Sequence, residues 1–282
     1  MAAKLGILAG EGLLPGQLID ACRSSGRDYF VIAFEGHADP AIIGDAPHMW
    51  ARVGAAGRIL RRLRAEGVRE LVLAGPVHRP SPAELWPDTR AIRFLASGVL
   101  RRGDDGLLSW IVQELEEGEG FSIVGADEVL PGLRAAAGVY GRHRPDNAAE
   151  TDIARGVAVA RALGRLDVGQ AVVVQRGIVL GVEAVEGTDA LVQRCRALCL
   201  DGPGGVLVKV SKPSQERRVD LPTVGPRTIE LSADSGLRGV AIHAGETLVI
   251  ERERLVRLAD DRGLFVVGID PAAFDEAEAE SA

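Results

Sequence analysis

The chain has 282 residues, 46% hydrophobic and 26% charged, with a formal net charge of −7 and a pI of about 5.4. Its length allows one large domain or two ordinary ones, and its acidity excludes the broad basic surface that non-specific nucleic-acid binding requires. Aromatics make up only 4%, so a core must be built of Ala, Val, Leu and Ile, and 35 glycines favour tight strand-to-helix turns.

The first half alternates apolar strand runs with helices. "KLGILAG" (4–10) reads as a strand, "PGQLIDACRSSG" (15–26) as a helix and "DYFVIAFEG" (28–36) as a second strand. "AGRILRRLRAEG" (56–67) is an amphipathic helix, "RELVLAGPV" (69–77) a third strand, "LLSWIVQELEEG" (107–118) a helix and "FSIVGADEVLPG" (121–132) a closing strand. Apolar strands alternating with helices pair in parallel, which predicts a doubly wound, Rossmann-like α/β domain over 1–134. Residues 135–146 lack periodicity and read as a linker.

An α+β mixed-sheet domain is expected over 147–282. It opens with a helix (147–164) capped by Asn147, with Glu150 completing a capping box. Strands at 170–175 and 178–185 flank Arg176-Gly177, which is hairpin spacing. A helix (188–199), a strand (205–210), a second hairpin (239–251), a helix (252–263) and a strand (264–270) follow. The last dozen residues look frayed.

No apolar run approaches the roughly 18 residues of a spanning helix. Cys22, Cys195 and Cys199 show neither a CxxC pair nor metal spacing, and the chain opens without a signal-peptide pattern, which together suggest a reducing cytosol. The five histidines, at 37, 48, 78, 143 and 243, are scattered. Without HExxH, Walker A or GxSxG, the zinc hydrolases, P-loop enzymes and α/β-hydrolases are disfavoured.

Several stretches can carry chemistry. Gly10, Glu11 and Gly12 form a turn at a strand end, where glycines let a backbone approach phosphate. As a dinucleotide fingerprint the turn is weak despite Glu35 at the end of the second strand, because Pro15 replaces the third glycine. Gly75, His78 and Arg79 follow the third strand, either as an anion contact or as a proline-stiffened turn. Asp104 and Asp105 supply either a helix cap or a contact with a ligand hydroxyl or metal. Glu183, Glu186 and Asp189 bracket Gly187 and Thr188. They can offer oxygens to Mg²⁺ beside a helix N-terminus suited to phosphate, or simply complement the helix dipole.

The stretch "KVSKPSQERRVDLPTVGP" (209–226) adds Lys209, Lys212, Gln215, Arg217, Arg218 and Asp220, stiffened by Pro222 and Pro226. Cations neutralise phosphate oxygens, and carboxylates hold Mg²⁺ or orient water. Together these are the two halves of a phosphoryl-transfer site, with Lys212 and Arg218 among its cations and Asp220 as its carboxylate, where the alternative is a merely solvated basic loop.

"GILAGEGLLPG", "GPVHRP", "GDDGLL", "DIARG", "LDVGQAVVV", "VEGTD" and "VKVSKPSQERRVDLPTVGPRT" occur in the order of one family. From about residue 4 to residue 270 the chain resembles the Mg²⁺-dependent UDP-2,3-diacylglucosamine pyrophosphatases of lipid A biosynthesis, the type unrelated to calcineurin-like phosphoesterases. The resemblance implies hydrolysis to UMP and 2,3-diacylglucosamine 1-phosphate (lipid X), two domains around a chamber for the acylated product, and a homodimer. The family's essential aspartate falls in an RxDLP segment, here Asp220, as a metal ligand or as the base towards water. The usual KPxQD reads here with Glu216 in the last place. Gly187, Thr188, Lys209, Gln215 and Thr223 join the substrate-binding set with Gly10, Glu11, Gly12, Gly75, Arg79, Asp104 and Asp105. Asp220, Glu183, Glu186 and Asp189 form the metal set. The acylated UDP-sugar would come from the membrane to a cytoplasmic protein, soluble or loosely peripheral on the inner membrane. A nucleotide-dependent oxidoreductase and a non-catalytic nucleotide-sugar or lipid sensor are the rival readings.

Overall fold

A computed structural model describes residues 2–77, 104–213 and 215–274. The chain forms two compact units. One comprises Met1–Pro131 with the later stretch Glu216–Asp220, and the other Gly132–Gln215 with Leu221–Ala282.

The first unit is built on strands β1 (Leu5–Ala9), β2 (Tyr29–Phe34), β3 (His48–Ala51), β4 (Glu70–Ala74) and β5 (Ser122–Ile123). They lie in the order β3-β2-β1-β4-β5, every pairing parallel. Their near-continuous apolar runs suit strands covered on both faces. The helix Leu14–Ser25 takes Pro15 in its first turn and ends at Gly26, whose φ of 67° few other residues accept. The helix Ala56–Ala65 buries Ile59, Leu60 and Leu63 and leaves Arg58, Arg61, Arg62 and Arg64 exposed. Its apolar face packs with Phe30, Ile32, Leu71, Val112, Phe121 and Ile123, each fully buried Leu or Ile contributing about 1.5–3 kcal/mol.

Three expectations for this half change. The stretch 48–51 adds an edge strand too short to announce itself. The strand expected over 121–132 shrinks to β5, because a short helix, Ala126–Val129, follows. Glu128 accepts from the Gly125 amide at 2.8 Å and closes that turn. The helix expected at 107–118 is α-helical over Asp104–Gln113 and ends in a π turn, Glu114–Gly118.

The second unit carries β6 (Gly138–Tyr140), β7 (Ala171–Gln175), β8 (Ile178–Val182), β9 (Val206–Lys209), β10 (Thr223–Val224), β11 (Gly239–His243), β12 (Leu248–Val249) and β13 (Phe265–Ile269). A mixed sheet runs β6-β13-β11-β9-β7-β8, with β13, β11 and β9 parallel and the remaining pairs antiparallel. Strand residues alternate between two apolar layers. Val172, Val174, Val206 and Val208 meet Ile153, Val157 and Ala160 of the helix Asn147–Arg165. Ala171, Val173, Leu207, Val240 and Ile242 face Leu191, Cys195, Ile229 and Leu255, from helices Gly187–Cys195, Pro226–Asp234 and Arg252–Arg262.

The β7–β8 hairpin forms as its spacing suggests, with Arg176 at φ 54° and Gly177 at φ 76°. Buried Asp152 makes the unusual Arg tolerable: its two oxygens accept from the Arg176 amide at 3.1 Å and the Gly177 amide at 2.6 Å. Other expectations give way. The stretch 135–146 is no bare linker, since β6 pairs antiparallel with β13. Asp146, not Asn147, caps the following helix, accepting from the Ala149 amide at 2.8 Å. The hairpin expected over 239–251 does not form; β11 lies in the large sheet, while β12 pairs with β10. Residues 275–282, at the end expected to fray, lie outside the described residues.

Candidate active site

In the first unit the carboxyl ends of β1 and β4 bring two turns together. The Gly10 amide donates to Ala74 O at 2.8 Å, and the Glu11 amide to Pro76 O at 2.9 Å. The backbones are too close for side chains: a Cβ on Gly10 would lie 2.4 Å from Pro76 O, and one on Gly75 2.0 Å from Glu11 O. Gly12 stands at φ 83° with open space around it. Glu11 Oε1 lies 3.2 Å from His37 Nδ1, and Glu35 pairs with Arg52 at 3.4 Å. Arg79 and His78 lie outside the described residues, and Asp104 and Asp105 stand in the first turn of their helix.

The same unit holds the Glu216–Asp220 stretch. Val219 packs against the apolar cluster of this unit. Arg218 Nε donates to Glu216 Oε1 at 3.0 Å and Nη1 to Glu116 Oε1 at 2.7 Å; Glu116 also accepts from the Ile123 amide at 3.2 Å. Hydrogen bonds from Arg218 hold the Glu216 carboxyl below its usual range, and the two carboxylates push the guanidinium up. Arg218, expected as a phosphate-neutralising cation, is held by both carboxylates and so clamps this stretch. The Asp220 amide closes the turn on Glu216 O at 3.0 Å.

In the second unit, segments far apart in sequence meet around the end of β9. Lys209, 7% exposed, donates from Nζ to Thr188 Oγ1 at 2.9 Å and to Thr223 O at 3.1 Å. The Thr188 hydroxyl donates to Glu183 Oε1 at 2.6 Å, and Glu183 Oε2 accepts from the Gln170 amide at 3.0 Å. Gln215 Oε1 accepts from the Lys212 amide at 3.1 Å, and its Nε2 reaches Gln170 Oε1 at 3.3 Å. The Lys212 ammonium, the other expected catalytic cation, pairs with Asp167 at 2.7 Å.

Family models now give these segments a context. The LpxI N-terminal domain model matches residues 4–133, and the LpxI C-terminal domain model matches residues 136–267. The chain belongs to the LpxI family. "UDP-2,3-diacylglucosamine pyrophosphatase LpxI" of Caulobacter vibrioides is 43% identical over 276 residues, covering 95% of this chain and 98% of that one. Two solved structures are loosely similar. The biotin carboxylase domain of Hydrogenobacter thermophilus 2-oxoglutarate carboxylase shares 14% identity over 61% of this chain and 35% of its own, with a TM-score of 0.27. An N5-carboxyaminoimidazole synthase from Aspergillus clavatus shares 14% over 70% and 44%, with a TM-score of 0.23. Neither likeness carries weight.

In this LpxI-family chain the motifs "DIARG", "LDVGQ", "VEGTD" and "VKVSKPSQ" serve one another. Gly156 of the first lets its helix lie against β9, and Gly169 of the second lies 2.1 Å, measured from a built Cβ, from Glu183 O. Asp167 and Gln170 hold Lys212 and Gln215. These partners escaped the sequence reading, although both belong to a motif that it singled out. Ser211, absent from the expected set, has its hydroxyl 2.8 Å from His243 Nδ1 at the neighbouring ends of β9 and β11.

The acidic trio expected to bind metal does not converge. Glu183 is occupied by Thr188 and Gln170; Glu186 pairs with Arg194 at 2.9 Å and Asp189 with Arg227 at 2.6 Å. The Glu186 carboxyl sits below its usual range, chiefly through its own backbone amide and then Arg194. No group of three His, Cys, Asp or Glu among the described residues could hold a metal ion. Such a donor set does not fit a preformed protein cage. It leaves room for Mg²⁺ carried mostly by substrate phosphates and one carboxylate, a usual habit of that ion.

Proposed function

We infer that this LpxI-family protein hydrolyses the pyrophosphate bond of UDP-2,3-diacylglucosamine to UMP and 2,3-diacylglucosamine 1-phosphate, a step of lipid A biosynthesis. The single observation that carries this reading is the end-to-end relative of that activity, 43% identical over 95% of the chain.

The chemistry asks for charge neutralisation and a directed water. A pyrophosphate diester resists hydrolysis because its anionic oxygens repel a nucleophile, so cations must meet charge that grows towards the transition state. Lys209 offers such a cation, buried and bonded only to neutral oxygens among the described residues. Asp220, next to Leu221-Pro222, supplies the carboxylate, as a ligand to Mg²⁺ or as the base that takes the proton of the attacking water. When bound, Mg²⁺ would neutralise further phosphoryl charge, held through Asp220 and the pyrophosphate oxygens themselves. Gly10, Glu11, Gly12 and Gly75 would meet the nucleotide or sugar through backbone, and Thr188, Gln215 and Thr223 would complete the substrate set.

The parallel order of β3-β2-β1-β4-β5 supports a Rossmann-like reading of the first unit. The acylated substrate places the reaction at a membrane surface. No helix among the described residues is long and apolar enough to cross a membrane. Peripheral contact on the cytoplasmic face and a homodimer are part of the proposal and rest on the family resemblance alone.

The test is UMP release from UDP-2,3-diacylglucosamine, with Mg²⁺ and with EDTA. Native protein should release UMP only with metal, and Asp220→Ala should lose about 100-fold or more while still binding substrate. No release with any divalent metal would overturn the reading in favour of a non-catalytic sensor.

A further inference from the structure

A cation taken out of water costs free energy unless something compensates it. Lys209 is such a cation: it is 7% exposed, its ammonium touches one hydroxyl and one carbonyl, and it makes no ion pair among the described residues. The compensating carboxylate stands one hydroxyl further away. Glu183 is also 7% exposed, and it accepts the Thr188 proton at one oxygen and the Gln170 amide at the other.

Hydrogen-bond direction along this chain is forced. A carboxylate only accepts, so the single hydroxyl proton of Thr188 points to Glu183, and its oxygen is left to accept from Lys209. An ammonium has three protons; Thr188 and Thr223 take two, and the third remains for an anion. We propose that Glu183 and Thr188 are positioning residues that hold the Lys209 ammonium, oriented through one hydroxyl, for the anionic phosphate oxygens of the substrate. The proposal rests on the pyrophosphatase reading and replaces the metal-ligand role expected of Glu183.

Glu183→Gln reverses the direction. If its oxygen stays on the Gln170 amide, its nitrogen donates to Thr188 and turns the hydroxyl proton against Lys209. Thr188→Val deletes the hydroxyl at nearly constant volume, and Thr188→Ser returns it. In UMP release by the full chain at saturating Mg²⁺, Glu183→Gln and Thr188→Val should each lose about tenfold in kcat/KM, and Thr188→Ser should recover most of that. On a Lys209→Met background, Thr188→Val should cost less than about twofold more, since the residue it positions is gone. The Mg²⁺ concentration for half-activity should stay at the native value in Glu183→Gln. Additive losses on the Lys209→Met background would overturn the proposal, as would a tenfold higher Mg²⁺ concentration for half-activity in Glu183→Gln, which marks a metal ligand.

A second readout needs no turnover. Calorimetric binding of inorganic pyrophosphate without metal should weaken about tenfold in Lys209→Met and in Thr188→Val, but not in Thr188→Ser. Circular dichroism checks the fold of each variant. If Thr188→Val does not fold, Glu183→Gln with and without Lys209→Met carries the comparison. Native protein that releases no UMP yet keeps this binding pattern would sink the pyrophosphatase reading and leave the positioning intact. Normal release with no such pattern would sink the positioning alone.

Discussion

Arg218 and Lys209 belong to one cationic stretch of sequence, and their surroundings give them different work. Arg218 is held between Glu216 and Glu116, so its charge fastens a chain segment; Lys209 meets only neutral oxygens among the described residues. The Arg218 clamp has a pH signature. Hydrogen bonds from Arg218 lower the Glu216 carboxyl below its usual 4.5, so Glu216 binds fewer protons folded than unfolded. Its contribution is fully present above about pH 4.5 and is lost as pH falls through the lowered folded value. The pair is partly exposed, so Glu216→Gln should cost under about 1 kcal/mol at pH 7 in urea melts. That difference should fade in melts repeated at successively lower pH below 4.5. A cost that persists in acid would mean packing, not charge.

Between elements, the helix Asn147–Arg165 lies close against β9. A Cβ on Gly156 would lie 2.4 Å from Val208 Cγ2 and 2.8 Å from its Cβ, so alanine there must push helix and sheet apart. Overpacking of this kind costs about 1–3 kcal/mol, against a helix-propensity gain of at most about 1 kcal/mol. Gly156→Ala should therefore lower the urea midpoint, and because Lys209 ends β9, UMP release should fall with it. A raised midpoint would show that the helix has room to spare.

Across the whole chain, the first unit is made from two stretches, Met1–Pro131 and Glu216–Asp220, and the second stretch supplies Val219 to its core. Val219→Asp places a charge against the apolar cluster of the first unit, an error expected to cost about 1–3 kcal/mol. In hydrogen exchange of the full chain, amides of residues 115–123 should lose protection, while β11 and β13 keep theirs. Equal loss in both units would mean that they unfold as one.

Much of this protein was legible in its sequence, because local periodicity reports local faces. Continuous apolar runs marked β1, β2, β4, β7, β9 and β13, and two residues between 175 and 178 marked a hairpin. Seven motifs in one order marked the family, which both domain models and the relative bear out. What the sequence could not determine was who partners whom. β6 is three residues long and exists by pairing with β13, more than a hundred positions later. Asp152, Asp167 and Glu116 carry no signal of a partner in the sequence, and only the fold brings the Arg176 amide, the Lys212 ammonium and the Arg218 guanidinium to them. The carboxylates at 183, 186 and 189 looked like one metal site because they are neighbours in sequence, yet each had a closer partner in space. An electrostatic partner is chosen by distance, direction and burial, and all three are set only when distant segments pack.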